Sequence, residues 1–197
     1  MPIKYLRRLM KPREMDLALS RIAAEIIEDH PDLTGVVLVG IRRRGIPLAE
    51  RLRQKIQKSS GAQLPLGKLD ITFYRDDLTL VDTQPVVEAS HLDFDVEEKT
   101  VILVDDVLFT GRTTRAALDS VLDYGRPRFV ELVVLVDRGH RELPIQADYV
   151  GKHVETAHDE VIEVRLPPVD DEEGVFLTTP ELLQQSDGDD PAGAVQT

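Results

Sequence analysis

The sequence predicts an α/β domain, a mainly parallel twisted sheet with helices on both faces. Three observations lead there. The runs GVVLVGI (35–41), TVILV (100–104) and FVELVVLV (129–136) are almost wholly apolar and rich in Val, as strands buried on both faces must be. Helical patterns separate such runs, at the spacing that parallel strands need for their crossovers. The chain has 197 residues, of which 42% are hydrophobic and 30% charged, enough for one sizeable core.

The elements follow in chain order. Residues 15–30 read as a first helix, with Leu17, Ile22, Ala23, Ile26 and Ile27 at helical spacing, broken by Pro31-Asp32. Strand 35–41 comes next, then a helix over about 45–58 that Ser59-Ser60-Gly61 ends. Residues 68–73 alternate as a further strand. From 74 to 99 the chain is polar and aperiodic, and so long a connection inside a domain is usually a functional arm. Strand 100–104 leads to helix 113–124, stopped by Gly125-Arg126-Pro127, and then to strand 129–136. Shorter strand-like pieces cover 148–151 and 161–166. Beyond Pro167-Pro168 the one apolar patch is FLTTPELL, and the last dozen residues read as disordered.

Composition narrows the class. No run of eighteen apolar residues exists, so no membrane-spanning helix is expected, and the basic N-terminal stretch lacks the apolar core of a secretory signal; a cytoplasmic location is expected. The absence of cysteine removes disulfides, thiolate metal sites and cysteine nucleophiles together. Net charge is −12, but eight acidic and no basic residues lie beyond Val169, leaving 24 basic against 28 acidic residues over 1–169. A body so close to neutrality can present one basic face.

The chemistry concentrates in VILVDDVLFTGRT (101–113). In open α/β sheets ligands bind beyond the carboxyl ends of strands, and the strand over 100–104 delivers Asp105 and Asp106 to that edge. Thr110-Gly111-Arg112-Thr113-Thr114 then opens a helix. The unpaired amides of a helix start, with the positive end of its dipole, suit a phosphate. Gly111 permits close backbone approach, and the hydroxyls of Thr110, Thr113 and Thr114 can donate to phosphate oxygens. Carboxylates beside a phosphate nest repel unless a sugar lies between them, so a ribose 5-phosphate fits: phosphate in the turn, 2- and 3-hydroxyls on the aspartates. Rival phosphate motifs, the P-loop and the dinucleotide fingerprint, do not occur.

This stretch is similar to the phosphoribosyl-pyrophosphate motif of type I phosphoribosyltransferases. With GIRRRGIPLAERL (40–52), KLDITFYRDDL (68–78) and LVDRGHRELPIQADYVGK (135–152) it resembles the bifunctional pyrimidine-operon attenuation protein / uracil phosphoribosyltransferase family over about 14–170. The resemblance implies the type I phosphoribosyltransferase fold with a small hood. A single domain would then span 1–169, with a flexible arm about 74–99, a hood about 137–166 and a partly disordered acidic tail over 170–197. It implies a reaction in which uracil and phosphoribosyl pyrophosphate (PRPP) give UMP and pyrophosphate, with Mg²⁺ carried on substrate oxygens and no dedicated protein metal site. Asp105, Asp106 and Arg75 are the implied catalytic residues. Residues Asp105, Asp106, Val107, Leu108, Phe109, Thr110, Gly111, Arg112, Thr113 and Thr114 would bind the ribose 5-phosphate. Ile41, Arg42, Arg43, Arg44 and Gly45 match the pyrophosphate loop, although Arg43 departs from the family pattern. Tyr74, Arg75 and Asp76 open the arm, and Asp137, Arg138 and Val161 frame the base. Purine-type relatives usually carry Asp where this chain has Phe109, which points to a pyrimidine.

The resemblance also implies UMP- or UTP-dependent binding of a dimer, or a higher homo-oligomer, to leader mRNA of a pyrimidine operon, promoting attenuation. Arg21, Arg141 and Lys152 stand as that role expects. Ala24, Asp29 and Gln146 do not: relatives typically have His, a basic residue and Arg there. Each missing phosphate contact weakens binding and its salt dependence. An enzyme with weakened RNA binding, a nucleotide-sensing RNA-binding regulator with incidental catalysis, and a transferase for another base therefore stand as alternatives.

Overall fold

In the computed structural model, which describes residues 4–74 and 90–187, the elements run β1 (Arg7–Met10), α1 (Pro12–Asp29), β2 (Val36–Ile41), α2 (Gly45–Ser60), β3 (Leu66–Leu69), β4 (Thr100–Leu108), α3 (Arg112–Leu122), β5 (Phe129–Asp137), β6 (Tyr149–His153), β7 (Val161–Arg165), β8 (Gly174–Thr178) and α4 (Pro180–Asp187). The apolar runs pair in parallel into one five-stranded sheet of order β3-β2-β4-β5-β6. Alternation along each strand splits the core in two. Val36, Leu38, Ile102, Val104, Val133 and Leu135 face α1 and α2, through Leu19, Ile22, Ile26, Leu52 and Ile56. Val37, Val39, Val101, Leu103 and Val134 face α3, through Ala116, Ala117 and Val121. Both faces are covered, as the Val-rich runs require.

A second sheet, β1-β8-β7, is antiparallel and forms a hood packed on the first of these cores. Here the sequence reading needs correction. A domain boundary at 169 would leave Gly174–Thr178 outside the fold, yet this strand is buried along its whole length and sits between β1 and β7. Phe176 has no exposure, stacks with Tyr5 at 4.7 Å and lies under the Arg8 guanidinium at 4.8 Å. The acidic residues around it masked the strand, and β1 itself, RRLM, is too short and basic to signal one.

Smaller differences have local causes. Helix α1 starts at Pro12 rather than 15, because Pro is preorganised for the first turn and Glu14 caps the Lys11 amide at 2.7 Å. Strand β3 spans 66–69 rather than 68–73; Asp70 then accepts from the Thr72 amide and hydroxyl, which turns the chain into a short 3-10 segment. The arm expected over 74–99 falls mostly outside the described residues, and its final part belongs to the body. His91 pairs with Lys68, while Leu92, Phe94 and Val96 pack on the α3 side of the sheet.

Phe176→Ala should cost about 3–5 kcal/mol in urea unfolding, as emptying a core aromatic site does. A value under about 0.5 kcal/mol, typical of surface changes, would put β8 back in a tail.

Candidate active site

The order β3-β2-β4 places β3 and β4 on opposite sides of β2, so a crevice opens where the carboxyl ends of β2 and β4 meet. Two glycines let the chain close over it. Gly40 lies opposite Val104 in the sheet, and a Cβ there would stand 2.6 Å from Ile46 Cα. A Cβ on Gly45 would stand 2.2 Å from the Val104 carbonyl oxygen. Any side chain at either position would push loop 41–45 off the end of β4.

Strand β4 does not stop before the aspartates. It runs to Leu108 because β5 continues to pair with it, Asp105 opposite Val134 and Leu108 opposite Asp137. Asp105 is buried, and its Oδ1 accepts from the Asp106 amide; Asp106 Oδ1 accepts from the Val107 amide, both at 2.9 Å. Asp106 is partly exposed. Burial pushes its carboxyl above the ordinary range, with the nearby Arg44 charge pulling the other way. The extra strand length also turns Leu108 into the α3-side core, while Val107, partly exposed, packs against the core of the opposite face.

The phosphate-type turn is held open from outside. Gly111 caps α3 with φ +91°, a conformation that favours glycine. Thr110 and Thr113 are partly exposed, whereas Thr114 is buried. Residues 138–145 brace this turn along its length. Arg138 N–H donates to Leu108 O, and the Glu142 and Leu143 amides donate to Thr110 O. Arg141 Nη1 donates to Phe109 O at 2.9 Å, and Arg112 pairs with Glu142 at 2.7 Å. Leu143 and Ile145 fill the space beside Gly111.

Phe109 is the hub of the hood side. The buried Arg138 guanidinium lies 4.0 Å from its ring centroid and is anchored on Thr156 Oγ1 and Ala157 O. Desolvation lowers the pKa of Arg138. The rings of His140 and His158 stand edge-on to Phe109 at 6.0 Å. Asp137 serves the loop rather than the crevice. Burial pushes its carboxyl up, but Arg141 at 2.7 Å and the Gly139 amide at 2.9 Å outweigh that and hold it below the usual range. Val161 opens β7, whose partly exposed face carries Val161, Glu163 and Arg165 in alternation.

Loop residue Arg44 is engaged by Asp170 and Glu163, which the sequence reading did not single out. The signal lay in the charged alternation of VIEVR on a hood strand. Arg42 lies 3.8 Å from Asp70, and Arg43 is exposed. Tyr74 is tied to α3, its hydroxyl on Asp123 and its carbonyl accepting from Arg115. Arg75 and Asp76 lie outside the described residues.

Arg21, Arg141 and Lys152 do come together, on a groove of about 1350 Å³ that Arg7, Arg8, Gln146 and His153 also line. All three are engaged within the chain. Arg21 holds Val150 O, Gly151 O and Glu25; Lys152 holds Leu9 O; Arg141 is built into the brace. Of the three departures, Ala24 and Gln146 are exposed, while Asp29 faces the Tyr149 phenol at 3.1 Å.

A family model for the phosphoribosyl transferase domain matches residues 9–170. Curated relatives bearing the name bifunctional protein PyrR match most of the chain: that of Alkaliphilus metalliredigens is 53% identical over 169 residues, covering 86% of this chain and 93% of its own. The relative from Pelotomaculum thermopropionicum is 57% identical over 160 residues, covering 81% and 88%. The chain belongs to the phosphoribosyl transferase family, among its bifunctional PyrR members. Solved hypoxanthine phosphoribosyltransferases share the family's fold. One from Trypanosoma cruzi superposes with TM-score 0.72 at 17% identity over 93% of this chain and 96% of that one. One from Staphylococcus aureus gives 0.67 at 21% identity over 90% and 95%.

Because the folded state raises the Asp106 pKa, its ionised form costs stability at pH above that raised value, and the cost disappears below the ordinary carboxyl value near 4. Asp106→Asn should therefore raise the melting temperature at pH 7.5, by an amount that shrinks as the pH falls. A lower melting temperature at pH 7.5 would contradict this.

Proposed function

We propose that this protein is a uracil phosphoribosyltransferase, converting uracil and PRPP to UMP and pyrophosphate, that also regulates pyrimidine operon expression through UMP- or UTP-dependent binding to leader mRNA and attenuation. One observation carries the catalytic part: Asp105-Asp106 near the carboxyl end of β4 and the Gly111 turn that opens α3 follow one another on a single strand–turn–helix, the order in which a ribose 5-phosphate would present its diol and its phosphate. Breaking the C1–pyrophosphate bond gives the sugar oxocarbenium character. Carboxylates holding its cis-diol favour that state over the ground state. The amides at the start of α3, with Thr110 and Thr113, hold the 5-phosphate, and Arg112 lies beside them.

Loop 41–45 is the pyrophosphate loop on this reading, its amides and arginines lying at the neighbouring strand end. Tyr74, Arg75 and Asp76 begin the arm that covers the activated sugar and keeps water from it, with Arg75 catalytic by resemblance. Phe109, Arg138 and Val161 frame the base, and an aromatic ring without a proton acceptor beside it suits a pyrimidine better than a purine. Mg²⁺ on this reading would be held chiefly by PRPP oxygens and water, with the adjacent carboxylates of Asp105 and Asp106 as the nearest protein donors. When bound, it neutralises charge on the departing pyrophosphate. Among the described residues no helix is long and apolar enough to cross a membrane, and the reading places the protein in the cytoplasm as a homodimer or larger homo-oligomer.

The RNA reading rests on Arg21, Arg141 and Lys152, which line one groove with Arg7 and Arg8 but also with Glu25, Asp137, Asp148 and Glu155. It is weaker than the resemblance implies, because Gln146 and Ala24 add no charge and Asp29 adds the wrong one.

Asp105→Asn with Asp106→Asn should lower UMP formation by at least about 10³-fold while leaving the circular dichroism unchanged. Wild-type turnover in that variant would remove the sugar-binding role. For the second activity, a gel shift with the operon's own leader RNA and UMP should show binding. Gln146→Arg should tighten it and steepen the log–log salt slope by about one unit. No shift at micromolar protein, with or without UMP, would leave only the enzyme.

A further inference from the structure

The third arginine of loop 41–45 is committed to the hood. Arg44 Nε donates to Asp170 Oδ2 at 3.0 Å, and its Nη2 donates to Asp170 Oδ1 at 3.1 Å and Glu163 Oε1 at 2.7 Å. This is a fork-to-carboxylate pair with a second carboxylate added, the geometry in which an ion pair is strongest. Both ends are rigid. Arg44 precedes Gly45, which is pressed against the Val104 carbonyl, and it stands at the cap of α2. Asp170 is locked into its own turn, accepting from the Leu166 amide at 2.9 Å while its amide donates to Leu166 O at 2.8 Å. Glu163 stands in the middle of β7. Burial works against charge on Arg44, but the two carboxylates outweigh it and hold its pKa above the usual value.

Arg42, 3.8 Å from Asp70, and Arg43 line a cleft of about 390 Å³ together with Lys68, Glu50, Pro168 and Val169, and Arg44 is not part of its lining.

We infer that Arg44 is a positioning residue rather than a pyrophosphate ligand: with Asp170 and Glu163 it latches the hood to loop 41–45, while Arg42 and Arg43 are the loop's cations for pyrophosphate. The inference rests on the reading that the crevice binds PRPP. Its logic is geometric. The sugar carboxylates belong to the parallel sheet and Val161 to the antiparallel one; one buried core joins the two sheets, and Arg44 adds a polar tie close to Asp106. A base held 1 Å from its attack position loses about 10²-fold in rate. Arg44, fixed by its backbone to the loop beside the first sheet and by its side chain to the second, sets their register where the base must meet the sugar.

Steady-state kinetics on the full-length protein separate the two roles. Arg44→Gln and Asp170→Asn should each lower kcat and raise KM for uracil, with a combined loss of at least about tenfold. Both should leave KM for PRPP and inhibition by pyrophosphate within about twofold. The double variant should be no worse than the poorer single one, because the residues act as a unit. Arg44→Lys, which keeps one carboxylate bond, should recover part of the loss and serves where the Gln variant does not fold. Arg43→Gln should raise KM for PRPP and weaken pyrophosphate inhibition. The inference is overturned if Arg44→Gln weakens PRPP and pyrophosphate about tenfold while Asp170→Asn does not. Calorimetric titration of PRPP with Mg²⁺ reads the same contrast without turnover. Wild-type protein that binds PRPP but makes no UMP would sink the uracil reading and leave the latch to be decided by the titrations. Wild-type protein that binds no PRPP would sink both.

Discussion

Parallel pairing of β4 with β5 is the constraint on which the site depends. Its register continues past the buried core to put Leu108 opposite Asp137, so the two strands leave the sheet side by side at one edge. One of them becomes the turn at Gly111, the other the loop 138–145, and neither has a stable shape alone. The first is a glycine-capped turn with unpaired carbonyls. The second is a polar loop containing the positive-φ residues Gly139 and His140. Each satisfies the other: Thr110 O, Phe109 O and Leu108 O receive donors from residues 138–143, and Leu143 and Ile145 seal the flank of Gly111. A buried carbonyl without a partner would cost about 1–3 kcal/mol, so the brace and the turn form or fail together.

The same brace bears on how two activities sit on one small domain. Arg141 lines the wide basic groove, yet its donors end on the backbone of the turn that would hold the 5-phosphate. One side chain thus belongs to both surfaces.

The parallel sheet and its crevice were legible in the sequence because continuous Val-rich runs and the DD–TG spacing are local patterns. What stayed hidden was non-local. RRLM becomes a strand only by pairing across almost the whole chain with GVFLT, and no periodicity in a four-residue segment announces that. The acidic surroundings of Phe176 disguised a core residue as tail. Arg44 matched a loop motif, but its partners Glu163 and Asp170 lie 119 and 126 residues away, a relation that only the folded chain reveals. Asp29 counted as a lost cation; the structure adds that it answers the Tyr149 phenol, which Glu131 shares.

The hood's strand order has a consequence for how the domain is made. Its central strand is the last to be synthesised and its edge strand β1 the first, so β1 must wait without a partner until β8 has been added. A nascent chain can already hold the five-stranded sheet, with both aspartates and the phosphate turn in place, before the hood strands that meet Arg44 exist. Chain order thus builds the sugar-binding half early and completes the site only at the end, when Phe176 closes over Tyr5.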